Sequence, residues 1–437
     1  MINYIKYLWN DVRLSLEDRK LCKLFFLACI LGFIFSVQEL IYFYWSLRFF
    51  QVFKLLYLGV MAYFIFYLFK SKINDSAITN VDKGLIRIGW FFVLYMLVCG
   101  LIFNMGDVKV YTFFSYLIYF GGMMGIVTLG LRLDLWKRFM DLFLIAFYVA
   151  VIIMLATKNV QYVIELADGG AMEFDELRGT NSLAYRFRGL LYFSLFFMPY
   201  ALFSRDKMHP IVRCAYLFSI VPFIYFGSVV SKFRSNLLVV VVAFCMIGYY
   251  SIKTVKIKTL ILLAMCLLIG FTFYNSSYME DSRDRMHSAS DRYHDNSLFS
   301  IVKGEREAEF EIFMTEVPLI KKIIGGGFGA SYDASELFGR EGEHWHTIHI
   351  GFVSYVLFGG VGYLIYMLFL YYKSVSRRLT SDERNNGFLL CCKVYIVVYF
   401  VRYCVTPITI SDRIYIDFLL WLSFGALLTK PIYGRIK

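Results

Sequence analysis

Residues 343–372 read EHWHTIHIGFVSYVLFGGVGYLIYMLFLYY. The stretch opens on Glu343, His344, His346 and His349, and from Ile350 to Tyr372 it carries no charged side chain. An uncharged apolar run of this kind suits a membrane crossing, which takes about 20 residues. Upstream of the boundary the chain stays polar back to Asn275, and this loop holds five of the six histidines. Apolar segments resume before Asn275. A long polar loop set between apolar segments fixes the fold class as a polytopic membrane protein.

The rest of the chain agrees. Its 437 residues are 59% hydrophobic and 19% aromatic, with mean hydropathy +0.60, against about 45–50% apolar in soluble domains. Apolar runs at 21–40, 49–69, 85–103, 110–130, 139–156, 189–204, 211–230, 236–250, 257–274, 350–372, 388–405 and 415–428 predict an all-α protein of about 12 transmembrane helices. Three regions follow: about nine spans over 1–274, a large loop over 275–349, and about three spans over 350–437. No small-residue cleavage site follows the first apolar run, so it reads as a retained span.

The net charge of +12 does not indicate nucleic acid, because no compact basic domain exists to hold it. The basic residues fall in alternate loops. Lys70 and Lys72, Arg132 and Arg138, Arg205 and Lys207, Lys253 and Lys256, Arg377 and Arg378, and Lys430 and Lys437 all lie on one side of an even-numbered topology. The positive-inside rule makes that side cytoplasmic, with both termini inside and the 275–349 loop outside. All nine cysteines lie in or beside apolar segments without a CxxC pair, which reads as small apolar residues and not as a zinc or disulfide frame.

Within the loop, Phe310, Phe313, Met314 and Val317 recur at i, i+3, i+4 and i+7, an amphipathic helix. The cluster Gly325-Gly326-Gly327-Phe328-Gly329 lacks the Lys-Ser/Thr of a nucleotide loop, and reads as a tight turn that lets backbone approach a substrate or the arginines. Arg188, Arg234 and Arg306 fall on the outer side, where positive charge is sparse. Guanidinium forks suit phosphate oxygens, and interfacial anchoring is the plainer alternative. His346 and His349 lie about one helical turn apart; they can accept a hydroxyl proton, pack structurally, or with His344 ligate a metal. Lys54, Asp141, Lys393, Arg402 and Asp417 lie inside apolar runs, where charge is normally paired or functional. Arg402 suits either a pair with Asp417 or a place in a substrate cavity.

In order and spacing, these residues resemble the bacterial O-antigen ligase and polymerase superfamily. The resemblance rests on Arg188-Gly189 before a span, the Ser231-Lys232-Phe233-Arg234-Ser235 turn opening another, and Arg306 with a helix in a large outer loop. It continues through the glycine turn, His349 opening a span, and the Gly359-Gly360-Val361-Gly362 cluster. It covers roughly 186–372. It implies a glycosyltransferase of the Wzy-like polymerase kind in the bacterial inner membrane. The donor would be an undecaprenyl-pyrophosphate-linked oligosaccharide, used at the outer face with no metal or other cofactor. Arg188, Arg234 and Arg306 would hold the pyrophosphate, and His349 or His346 the acceptor hydroxyl. A chain-length regulator and a flippase would be partners. A ligase acting on the lipid A core and a lipid-linked glycan flippase are the alternatives.

Overall fold

A computed structural model describes residues 20–21, 23–34, 49–70, 80–104, 110–130, 140–157, 172–175, 180–183, 188–204, 208–226, 234–253, 310–333, 344–345, 351–380, 387–406 and 417–428. The body is helical. In chain order come α1 (Lys23–Ile34), α2 (Phe49–Lys70), α3 (Asn80–Asn104), α4 (Val110–Gly130) and α5 (Met140–Thr157). A 3-10 segment, Arg188–Phe193, runs directly into α6 (Ser194–Phe203), followed by α7 (Pro210–Phe218), α8 (Ile220–Ile224) and α9 (Arg234–Lys253). Then come α10 over 310–316, α11 (Leu319–Ile324), α12 (Gly351–Ser376), α13 (Phe388–Val405) and α14 (Phe418–Leu428). Two short antiparallel pairs complete it: β1 (Met172–Asp175) with β2 (Thr180–Leu183), and β3 (Tyr332–Asp333) with β4 (His344–Trp345).

Among the described residues, Lys83–Asn104, Gly351–Ser376 and Phe388–Val405 are by length and composition long and apolar enough to cross a bilayer. Large apolar side chains stand exposed along the helices: Leu55 and Phe66 on α2, Phe91 and Ile102 on α3, Ile152 on α5, Ile252 on α9 and Ile365 on α12. Water would penalise such surfaces, whereas lipid tails solvate them. The protein is a membrane protein. At its centre every residue of α14 is buried. This helix is about 16 Å long and is enclosed by α4, α12 and α13, with the Trp421 ring on Tyr119 and the Phe418 ring stacked on Phe143 at 4.3 Å. The buried helix α13 packs in turn against α6, α9 and α12.

The 350–372 run does not form one straight rod. Gly360 has φ +69° and ψ −175°, which breaks α12 into two arms. The Phe352 and Tyr371 rings lie 5.6 Å apart, although a straight helix would separate those residues by about 28 Å. Tyr355 and Tyr363 likewise touch, at 5.4 Å. The two arms therefore fold back on each other at an elbow. The first arm ends there with carbonyls that no next helical turn can satisfy, and the apolar interior offers no water to replace it.

The distant glycine cluster supplies the missing donors. Gly326 N–H donates to Leu357 O at 2.8 Å, Gly327 N–H to Phe358 O at 2.9 Å, and Phe328 N–H to Met96 O of α3 at 2.9 Å. Asn104 at the end of α3 donates from Nδ2 to Gly326 O and Phe328 O, and Tyr95 donates to Ile324 O. Two cluster positions admit only glycine. At Gly325 (φ +86°) an added Cβ would lie 2.5 Å from Gly360 N, and at Gly327 (φ +74°) it would lie 2.0 Å from Gly100 N. The close backbone approach of this turn is to α3 and α12, where the sequence pointed to a substrate or the arginines, and the N–H groups of Gly325, Gly326, Gly327 and Phe328 are all bonded within the fold. Phe328 locks the turn from above, stacked on Phe120 at 5.5 Å.

The amphipathic segment ends where its spacing does, at Val317. Pro318 separates α10 from α11. Of the expected face only Phe313 and Val317 are buried; Phe310 and Met314 are exposed, because the segment touches the body along the narrow i, i+4 line and leaves its remaining apolar groups outward. Two charges inside apolar runs prove structural. Lys393 donates from Nζ to Val375 O at 2.7 Å and to Arg377 O, holding the end of α12. Tyr216 donates to Asp141 Oδ1 at 2.7 Å. Arg377 caps α14 through Ala426 O and Leu427 O, both at 3.0 Å.

Candidate functional site

Arg402 lies in the last turn of α13, and Asp417 begins α14, its carbonyl accepting from Leu420 N–H and Trp421 N–H. Arg402 Nη1 stands 3.9 Å from Asp417 Oδ1, with the side chains 8% and 1% exposed. That separation is an ion pair without a hydrogen bond. Aromatic faces hold the guanidinium instead: its Cζ lies 3.8 Å from the Tyr192 ring centre, 5.0 Å from Tyr399 and 5.7 Å from Tyr403. The hydroxyls of Tyr119, Tyr399 and Tyr403 lie within electrostatic reach of the carboxylate.

Several polar atoms here lack a close hydrogen-bond partner, although the hydroxyls of Tyr119, Tyr399 and Tyr403 are directed at the carboxylate as donors. Arg402 Nε and Nη1, both Asp417 oxygens, and the hydroxyls of Tyr371, Tyr395 and Tyr399 are buried without such a close partner. In native interiors such groups are few, and each calls for a specific cause. A charged, under-bonded pair within apolar helices is the mark of a functional residue more than of a stabilising one.

Five element ends meet at this pair. Tyr192 lies one residue before the end of the 3-10 segment that Arg188 opens, and its hydroxyl donates to Asn236 Oδ1 at 2.6 Å. Asn236 is two residues into α9, which Arg234 opens. Arg402 ends α13 and Asp417 starts α14. Phe352, second in α12, brings its ring 4.9 Å from Phe400 and 6.3 Å from Tyr403; it stands three residues after His349 in the sequence. The element that begins at Arg188 and the one that begins at Arg234 are therefore linked, through Tyr192 and Asn236. Arg306, His346 and His349 lie outside the described residues. His344 lies in β4, paired with Asp333.

Tyr192 and Asn236 were not singled out from the sequence. Their signal is weak: a tyrosine four residues after Arg188, and an amide two residues after Arg234 at the start of an apolar helix. Neither type is unusual at a span end, and only their mutual hydrogen bond gives them meaning. Among the described residues no cluster of three His, Cys, Asp or Glu side chains forms that would hold a metal ion. No protein-family model matches the chain, and no characterised protein matches it at a significant level.

Proposed function

We propose that this protein is a glycosyltransferase of the O-antigen polymerase kind, built from about 12 transmembrane helices in the bacterial inner membrane. In this reading both termini are cytoplasmic and the 275–349 loop is periplasmic. The donor is an undecaprenyl-pyrophosphate-linked oligosaccharide, and no metal or nucleotide cofactor takes part. The observation that carries the reading is the junction itself. The Tyr192–Asn236 hydrogen bond ties the element that begins at Arg188 to the one that begins at Arg234, beside the buried Arg402. Two of the three arginines selected from sequence alone thus belong to elements joined at one point, as a bound pyrophosphate requires.

The chemistry follows from that placement. The acceptor hydroxyl oxygen attacks the anomeric carbon, and the bond from that carbon to the pyrophosphate oxygen breaks with its electron pair leaving on the pyrophosphate. Arg188, Arg234 and Arg306 stabilise that developing charge. His349 or His346 accepts the hydroxyl proton. A chain-length regulator and a flippase act alongside.

A transport reading has one observation in its favour: the under-bonded Arg402–Asp417 pair lies within apolar helices, where lipid-flipping proteins also place charge. A His346→Ala/His349→Ala double variant, in a cell with its other assembly enzymes intact, separates the readings. The polymerase reading predicts core capped by one repeat unit with no ladder. Long polymer left on its carrier indicates a ligase, and repeat units trapped inside indicate a transporter. An unchanged ladder with the protein present removes the histidines from the site.

A further inference from the structure

We infer that Arg402 is a positioning residue: it does not touch the leaving group but sets the spacing of the two arginine-bearing ends that do. The inference rests on the pyrophosphate reading above. Arg402 is enclosed, so a ligand cannot reach its guanidinium as the structure stands. What Arg402 does touch is Tyr192, face on at 3.8 Å. With one face fixed, the Tyr192 hydroxyl is aimed at Asn236, which it meets at 2.6 Å. One side chain of α13 thereby fixes the end of the 3-10 segment that carries Arg188 and, through one hydrogen bond, the first turn of α9 that carries Arg234.

The residue types fit this task. A planar guanidinium stacks on an aromatic face and resists deprotonation, whereas an ammonium would give a point charge without the flat contact. Asp417 makes the buried pair neutral overall. Its field cancels that of Arg402, so a third cation does not repel Arg188 and Arg234 or draw the pyrophosphate into the core.

The test uses the full chain in detergent, with inorganic pyrophosphate as the probe and isothermal titration as the readout. Tyr192→Phe removes one hydroxyl and keeps the ring. It should raise the pyrophosphate Kd about fivefold, the loss of a single hydrogen bond, without lowering the melting temperature appreciably. Arg402→Lys keeps the charge and should raise it about tenfold, because the flat contact is lost. Hydrogen exchange should rise at amides 188–193 and 234–240 together.

Each outcome decides something. If Arg188→Ala and Arg234→Ala lose pyrophosphate while Tyr192→Phe and Arg402→Lys bind as wild type, the positioning role is overturned and the transferase reading stands. If none of the four changes binding, the pyrophosphate site itself is refuted. Unchanged exchange at both ends in folded Tyr192→Phe and Arg402→Lys protein overturns the spacing claim irrespective of ligand.

Discussion

The glycine-locked elbow and the Arg402–Asp417 junction are both buried, and both join elements far apart in sequence, yet they are built in opposite ways. At the elbow, backbone meets backbone and the strained chain finds its partners: three N–H groups of the glycine turn meet Leu357, Phe358 and Met96, and Asn104 covers the carbonyls between. At the junction two full charges face each other at 3.9 Å, and several polar atoms around them lack a close hydrogen-bond partner. The first arrangement maximises stability. The second gives up stability, which evolution retains only for another use. A polar group inside an apolar bundle is therefore informative in proportion to how poorly it is satisfied.

That contrast is open to direct attack by substitution. The largest effect belongs to Gly327→Ala, which places a Cβ 2.0 Å from Gly100 N at φ +74°. Strain and overlap together should cost about 4 kcal/mol or more, read as loss of folded protein in detergent. Gly84→Ala, which meets nothing within 4 Å, should be neutral or slightly stabilising by the same assay. Next comes Arg402→Met, which leaves the Asp417 carboxylate buried alone and should cost about 3–5 kcal/mol. The double variant Arg402→Met/Asp417→Leu should recover that loss and melt at or above wild type, because a packed apolar pair replaces a desolvated ionic one. Recovery of stability without recovery of activity is the signature of a functional pair; a double variant that is both stable and fully active would erase the distinction between the two regions.

Smaller effects sharpen the elbow side. Asn104→Ala strands two buried carbonyls and should cost about 2–3 kcal/mol in thermal unfolding, with pyrophosphate affinity unchanged in the folded fraction. Tyr366→Phe removes a 3.1 Å bond to Leu85 O and a weaker 3.8 Å one to Met124 Sδ and should cost about 1 kcal/mol. A large loss there would mean that the second arm of α12 is less well anchored than its packing indicates.

The two regions also differ in how far the sequence reveals them. Apolar runs located the described helices, because hydropathy and length are local properties; the 257–274 run lies outside the described residues. The elbow was invisible: Gly359-Gly360-Val361-Gly362 interrupts no hydrophobic pattern, and the reason for the fold-back lies in Gly325–Gly327, more than thirty residues upstream. The amphipathic helix was half legible, since spacing gives a face but not which part of that face meets a partner. Arg402 and Asp417 were visible as misplaced charges, and their pairing was one of two readings. The junction around them was not, because it depends on a tyrosine and an amide whose types carry no signal of their own. Arg188 and Arg234 stood out through topology and motif order, and the link between the elements they open comes from the Tyr192–Asn236 side-chain contact, which no sequence spacing encodes.

The most direct measurement is reconstitution in liposomes with an undecaprenyl-pyrophosphate-linked repeat unit, following glycan length and release of undecaprenyl pyrophosphate together. Wild-type protein should lengthen the carrier-linked glycan and release one undecaprenyl pyrophosphate per linkage formed. The stably folded Arg402→Met/Asp417→Leu protein should do neither. Wild-type protein that carries the lipid across the bilayer without releasing pyrophosphate would contradict the account, as would a double variant that polymerises at the wild-type rate.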